Sequence, residues 1–312
     1  MLQSLPLQPW KSRLGAQRDW FWRGWRIRYT FIRPAHVESS DAVPILFVHG
    51  FGSALTQWHA NLAPLSDYHP VYALDLLGFG TSEKASADYS ASLWAEQIHD
   101  FWATFIRRPM ILVGHSLGAL VAATTTVTYP DLVRGLAIIT LPATRQEVLP
   151  TRWIQPVVGA VERVFASPLL IRFIFQIARR PKIIRSALNL AYVDRRYVTD
   201  DLVASIVRPT CDRGAAQTLC RLSRAATRLD YSPSRQTLLS TIYQPVLLLW
   251  GQQDRVIPIA QAESLVSLNP RIRLVELPDA GHCPYDEQYE RVNSELLNWI
   301  ATGLTCQDTT ET

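Results

Sequence analysis

The pentapeptide Gly114-His115-Ser116-Leu117-Gly118 constrains this chain more than any other feature. It lies between the apolar run Met110–Val113, which reads as a buried strand, and Leu117–Thr128, which reads as a helix. A serine in that place sits on a sharp strand-to-helix turn at the C-terminal edge of a sheet. The two glycines remove side chains that would collide as the chain reverses. The helix that follows turns its free N–H groups and positive dipole end toward any negative charge that develops there. The bare pattern G-x-S-x-G is common by chance, so the context carries the weight. That context also settles a false lead. Pro109–Pro130 contains no Asp, Glu, Lys or Arg, and hydropathy alone would score it as a membrane span. Two glycines, His115 and Ser116 in a strand-turn-helix pattern make it a buried strand with a helix behind it instead.

The same alternation runs through much of the chain. Phe21–Ile32 is rich in Trp, Tyr, Phe and Ile and is broken at Arg23-Gly24, which predicts a β-hairpin. Ile45–Val48 and Val71–Leu74 are short continuous apolar runs, as in strands buried on both faces. Each ends in a glycine-bearing loop, His49-Gly50-Phe51-Gly52 and Asp75–Ser82. A helix is expected around Gln57–Leu65, another over Ser92–Ile106, and a further strand over Leu136–Thr140. After residue 235 the rhythm resumes with strands Val246–Leu249 and Ile272–Glu276 and helices Ala260–Leu268 and Glu290–Ile300. Strands alternating with helices imply a mostly parallel central sheet with helices on both faces, an α/β fold. Between the two blocks, residues 143–235 are Arg-rich, helical in pattern and broken by Pro150, Pro156, Pro168, Pro181 and Pro209. They read as an inserted helical cap. The expected organisation is a core of 20–142 and 236–301, a cap of 143–235, and tails of 1–19 and 302–312.

Charge supports that division. The net charge is +4, too small to argue for nucleic acid. Residues 143–235 hold 16 Lys+Arg against 7 Asp+Glu, whereas the remainder holds 15 against 20. The basic charge is therefore concentrated in the cap, where it serves either as a solvated face or as a contact for an anionic membrane or substrate. The apolar run from Trp153 to Ile177 is interrupted by Arg163 and Arg172. It is too charged to span a bilayer, but it could lie on one or pack over a pocket. Cys211, Cys220, Cys283 and Cys306 show neither metal spacing nor a dense disulfide framework, so a reducing compartment fits. Met1–Trp20 lacks the apolar core of a signal peptide. The expected location is the cytoplasmic side, soluble or peripheral to a membrane.

A serine hydroxyl is a poor nucleophile near neutral pH and needs a positioned base. His282, in an Ala280-Gly281-His282 loop after the last strand, is the best placed of the seven histidines. The base needs a carboxylate to fix its tautomer. Asp254 lies just past the strand that begins at Val246, although it would also serve as a cap for the helix after Pro258. The order Ser116, Asp254, His282 matches the chain order of such sites on an open α/β sheet. The oxyanion hole would come from the N–H groups of Leu117 and Phe51. His49 more naturally holds its loop, but with His115 and Trp153 it is a candidate for the substrate pocket. Asp75 and Ser82 order their own loop. No metal or organic cofactor is required.

These pieces make the chain resemble the α/β-hydrolases over about residues 20 to 301. A narrower resemblance rests on Gly281-His282-Cys283-Pro284-Tyr285-Asp286-Glu287 and on Trp22-Arg23-Gly24-Trp25-Arg26-Ile27-Arg28-Tyr29. Both stretches are similar to those of plastid and cyanobacterial hydrolases of the pheophytinase and chlorophyll dephytylase group. That resemblance implies cleavage of the phytyl ester of chlorophyll or pheophytin, with phytol as product and a thylakoid surface as setting. Other readings keep the serine: a lipase, esterase or thioesterase on another hydrophobic ester, or a carbon–carbon bond hydrolase. A non-catalytic ligand-binding protein on the same fold is the reading furthest from a complete Ser/Asp/His set.

Overall fold

The computed structural model describes residues 12–34, 42–148 and 168–303. Among these, eight strands form one sheet: β1 (Gln17–Trp22), β2 (Trp25–Ile32), β3 (Ile45–Val48), β4 (Val71–Leu74), β5 (Met110–His115), β6 (Val133–Ile139), β7 (Val246–Gly251) and β8 (Ile272–Leu277). Their order is β1-β2-β4-β3-β5-β6-β7-β8. The β1–β2 and β2–β4 pairs are antiparallel and the other pairs are parallel. This is the mostly parallel α/β-hydrolase fold expected from the sequence.

The hairpin turns at Arg23 and Gly24, both at positive φ (52° and 84°), the geometry of a two-residue turn that matches strand twist. β1 starts at Gln17, three residues ahead of the expected core boundary. It is an edge strand whose Gln17, Arg18 and Asp19 are exposed, so it carries no apolar signal there. Just before it, Leu14 is fully buried, and its carbonyl accepts a hydrogen bond from the Thr30 hydroxyl at 2.5 Å.

The inner strands feed two cores by simple alternation. Leu46 and Val48, Leu112, Leu136 and Ile138, and Val246 and Leu248 face one core with Trp94, Ile98 and Phe101. Ile45 and Phe47, Ile111 and Val113, Ala137 and Ile139, and Leu247 and Leu249 face the other with Leu62, Leu65, Val292 and Leu296. The helix Ala91–Phe101 is capped by Ser90, whose side chain accepts from Leu93 N–H. It does not continue as an α-helix to Ile106, because Trp102–Ile106 widens into a π turn. The charge-free stretch after β5 is the buried helix Leu117–Thr128. Its hydroxyls at Thr124, Thr125, Thr126 and Thr128 donate to the carbonyls four residues back at 2.8–2.9 Å, so its polar atoms are satisfied without water.

β3 lies between β4 and β5. The chain therefore runs outward from β3 to β4, crosses back over β3, and continues from β5 toward β8. That reversal opens a crevice at the carboxyl ends of β3 and β5, where open α/β sheets bind ligands. The described part of segment 143–235 contains helices Arg145–Val148, Pro168–Ala178, Pro181–Ala191, Asp200–Val207 and Ala215–Ala226, and no strand. Helix Pro168–Ala178 packs on Ala215–Ala226, and Pro181–Ala191 on Asp200–Val207.

Candidate active site

Ser116 follows β5 directly and has φ 51° and ψ −116°, a region costly for any side-chain-bearing residue. Its conformation is held by its own N–H, which is shared between the carbonyls of Ile139 (3.0 Å) and Thr140 (3.1 Å) at the end of β6. The flanking glycines are forced by backbone contact. A Cβ on Gly114 would lie 2.3 Å from Gly118 O, and one on Gly118 would lie 2.3 Å from Val48 O. Strand, helix and β3 thus touch through bare backbone, and Ser116 is lifted from the sheet edge. Leu117 opens the helix, so its N–H is among those without an intrahelical partner.

Asp254 follows β7. One carboxylate oxygen, Oδ1, accepts from the N–H groups of Val256 (2.7 Å) and Ile257 (2.8 Å). The other, Oδ2, lies 2.8 Å from His282 Nδ1. A carboxylate can only accept, so His282 carries its proton on Nδ1 and keeps the lone pair on Nε2. The Thr140 hydroxyl approaches Asp254 Oδ2 at 3.5 Å, the outer limit of such a contact. Thr140 itself has φ 52°.

The backbone of His282 is gripped from three sides. Its N–H donates to Ala191 O at 2.7 Å. Its carbonyl lies 2.9 Å from His115 Nε2, which must donate. One residue before it, Gly281 N–H donates to Glu287 Oε2 at 2.7 Å. The other oxygen of Glu287 accepts from Val193 N–H (2.7 Å) and Asp194 N–H (2.9 Å). One buried carboxylate therefore ties the histidine loop to the chain leaving helix Pro181–Ala191. Burial pushes the Glu287 carboxyl up, and the N–H groups it accepts oppose that shift.

Ser116 and His282 open into one cavity of about 370 Å³. Gly50, Phe51, Gln57 and His115 line it from the core, and Ile184, Leu188, Leu202 and Ile206 from segment 143–235. Asp286 also lines it. Its carboxyl is pushed up to about 6 by burial, against the Tyr192 hydroxyl that donates to it at 2.8 Å. Cys283, beside His282, is no rival nucleophile. Burial pushes its thiol up to about 12, so it stays protonated.

The structure brings Ser116, His282, Phe51 and His115 to one cavity and sets Asp254 behind His282. Burial and the neighbouring His282 hold His115 well below the usual imidazole range, so it is neutral. Since its Nε2 donates, its Nδ1 carries a lone pair, and that atom is buried without a partner. His49 is a correction: it does not line the cavity. It is fully buried, with Nδ1 donating to Gly50 O (2.8 Å) and Nε2 accepting from Leu76 N–H (3.0 Å), so both ring nitrogens are spent on backbone. Trp153 lies outside the described residues. Asp75 orders its loop as expected, accepting from the N–H groups of Leu55 and Thr81 at 2.6 Å each.

Three contributors escaped the sequence reading. Gln57 Oε1 accepts from Gly50 N–H at 3.1 Å and so holds the loop that carries Phe51. Thr140 shapes the bed of Ser116, and Glu287 anchors the histidine loop. Glu287 had a visible signal, an acidic residue five positions after His282 in a buried stretch. Thr140 had none.

The chain matches a known protein family. The model described as "Alpha/beta hydrolase family" matches residues 45–295. An uncharacterized protein of Mycobacterium tuberculosis is 28% identical over 79% of this chain and 72% of its own length. The chloroplast pheophytinase of Arabidopsis thaliana is 25% identical over 85% of this chain and 63% of its own length. The crystal structure of a bacterial membrane phospholipase A superposes with a TM-score of 0.71 at 26% identity, covering 95% of this chain and 89% of that one.

Proposed function

The chain belongs to the alpha/beta hydrolase family, and from that premise we propose that this hydrolase is serine-dependent and acts on hydrophobic carboxylic esters. One observation carries the reading. A serine held at positive φ opens into the same cavity as a histidine whose Nδ1 is fixed by a buried carboxylate. In the proposed reaction His282 Nε2 takes the Ser116 proton as the oxygen attacks the ester carbonyl. The N–H groups of Phe51 and Leu117 receive the oxyanion. His282 then protonates the leaving alcohol and activates the water that releases the acid.

The substrate class proposed is the phytyl ester of chlorophyll or pheophytin. The likeness to pheophytinase over most of the chain supports it, as do the histidine-loop motif and the apolar cap wall of Ile184, Leu188, Leu202 and Ile206. Segment 143–235 is the proposed cap. Its helices Pro168–Ala178 and Pro181–Ala191 expose Phe173 (64%), Ile174 and Leu190 (53%) near Arg172, Arg179, Arg180 and Lys182. This mixture suits peripheral contact with an anionic membrane, the proposed partner surface. Among the described residues no helix is long and apolar enough to cross a bilayer.

The test is incubation of purified protein with chlorophyll a and pheophytin a in mild detergent, beside short p-nitrophenyl esters, with Ser116→Ala as control. Phytol release by wild type alone is the expected result. Short-ester cleavage without phytol release would keep the serine-esterase reading and overturn the phytyl one. Flotation with anionic liposomes tests the membrane contact, and a protein that stays wholly in the soluble fraction contradicts it.

A further inference from the structure

Beside the cavity that holds Ser116 lies a second one of about 220 Å³. It is built from different elements, with Phe79 from the core and Phe175, Ala178, Leu219 and Leu222 from helices Pro168–Ala178 and Ala215–Ala226. The two cavities share five lining residues: Phe51, Gly52, Ser53, Ile184 and Ile206. They are therefore adjoining chambers with a common partition, and the side chains in that partition are apolar except for Ser53.

The partition and the second chamber differ from the rest of the protein in two ways. Phe51 is a large apolar side chain that remains 59% exposed. Its ring meets Phe79 edge-on, with centroids 5.5 Å apart, and Phe79 leans in turn on Trp94. The Phe51 ring thus borders two chambers and is not packed into a core. The second chamber is lined mainly by apolar side chains, with Lys84 and Arg179 as its charged residues. Lys84 lines it, but its ammonium is committed to Gly80 O (2.7 Å), Ser82 O (2.9 Å) and Asp212 (3.1 Å). The first chamber, by contrast, carries the lone pair of His115 Nδ1, the carboxyl of Asp286 and the amide of Gln57. Both chambers are mainly apolar; the groups that could act on an ester lie in the first, and beside Lys84 the second adds only Arg179 and the hydroxyls of Ser53, Thr210 and Thr218 to its hydrocarbon lining.

We propose that the second chamber is the hydrocarbon-chain site of the substrate, reached past Phe51 from an ester seated at Ser116. The ligand class is a saturated or isoprenoid chain attached to either the acyl or the alcohol side of the ester. The inference rests on the esterase reading and adds to it where the chain goes. Each methylene that enters such a chamber raises kcat/KM about four-fold until the chamber is full.

The experiment uses two ester series on the full-length protein. One varies the acyl chain from acetate to palmitate on p-nitrophenol. The other holds acetate and varies the alcohol from ethyl to phytyl. Wild type is compared with Ala178→Phe and Leu219→Phe, which fill the chamber, and with Leu219→Ala, which enlarges it. The filled variants are expected to hydrolyse p-nitrophenyl acetate within two-fold of wild type. They are expected to lose at least ten-fold on the longest member of one series, and that series identifies the side that carries the chain. Leu219→Ala shifts the optimum to a longer chain. An unchanged chain-length profile in all three variants overturns the proposal. If the filled variants do not fold, an unmoved optimum in Leu219→Ala overturns it alone. A binding arm separates this inference from the esterase reading: palmitate and phytol are titrated into Ser116→Ala protein, with and without Leu219→Phe. Equal affinity in the two proteins overturns the chain site. Weaker binding with the filled chamber supports it, even if no ester is turned over.

Discussion

The two walls of the Ser116 cavity are built on opposite principles. On the sheet side, polar atoms are pinned by backbone: Asp254, behind His282, by two N–H groups, and Ser116 by the carbonyls that end β6. On the side of segment 143–235, the proposed cap, Ile184, Leu188, Leu202 and Ile206 make contact but offer no hydrogen bonds from their side chains, and Tyr192 alone among the polar lining there donates, to Asp286. The walls meet in a polar seam at Ala191–Asp194, where Ala191 O holds His282 N–H and Glu287 holds Val193 and Asp194. Directional bonds keep the proposed chemistry within tenths of an ångström, whereas apolar contact leaves substrate choice adjustable. On this account changes to the sheet wall alter rate for every substrate, changes to the cap wall alter only which substrate is preferred, and changes to the seam alter both stability and rate.

The largest expected effect is on the sheet wall. Ser116→Ala and Asp254→Asn each lower kcat on short and long esters alike by roughly 10³-fold or more. A loss confined to long esters would break the division between walls.

Next is the pH dependence of stability at Asp286. Its folded carboxyl sits at about 6 instead of 3.8, so between these values the native state holds a proton that the unfolded chain has lost. This group's contribution to stability is therefore fully favourable below about pH 4 and declines as pH rises to about 6. Urea unfolding should show wild type losing about 2 kcal/mol relative to Asp286→Asn between pH 4 and pH 7. Parallel curves for the two proteins would contradict this.

At the seam, Glu287→Gln puts an amide NH₂ against N–H donors and loses one acceptor. Stability is expected to fall by about 2 kcal/mol. The expected change in kcat is a fall of about ten-fold with KM within two-fold, because a displaced His282 impairs proton transfer more than binding. An unchanged kcat in folded protein would mean that the seam does not position His282. The smallest effect is on the outer cap face, where Phe173→Ser should leave short-ester kcat within two-fold of wild type while reducing liposome flotation.

The two walls were also unequally legible in the sequence. The turn around Ser116 could be read because a strand, two obligatory glycines and a helix adjoin in ten or so residues. Asp254 and His282 could be read because each follows an apolar strand, and the structure joins them at 2.8 Å. The sequence places His49 at the pocket wall as well as in its loop, because it shows which loop a residue is in but not which way its ring turns. Thr140 was invisible because its role depends on a positive φ and on neighbours far along the chain. The start of β1 is hidden because an exposed edge strand has no apolar signature. In segment 143–235 the helical pattern was legible and the second chamber was not. A chamber between Phe79 and Leu219 exists only once residues far apart in the chain are brought together.

The most direct test of the central claim is labelling with a fluorophosphonate, which reacts only with a serine activated by a positioned base. Intact-mass and peptide analysis should find one adduct per chain, on Ser116, lost in Ser116→Ala and strongly slowed in Asp254→Asn. No adduct on folded wild-type protein, or an adduct on a different residue, would contradict the account.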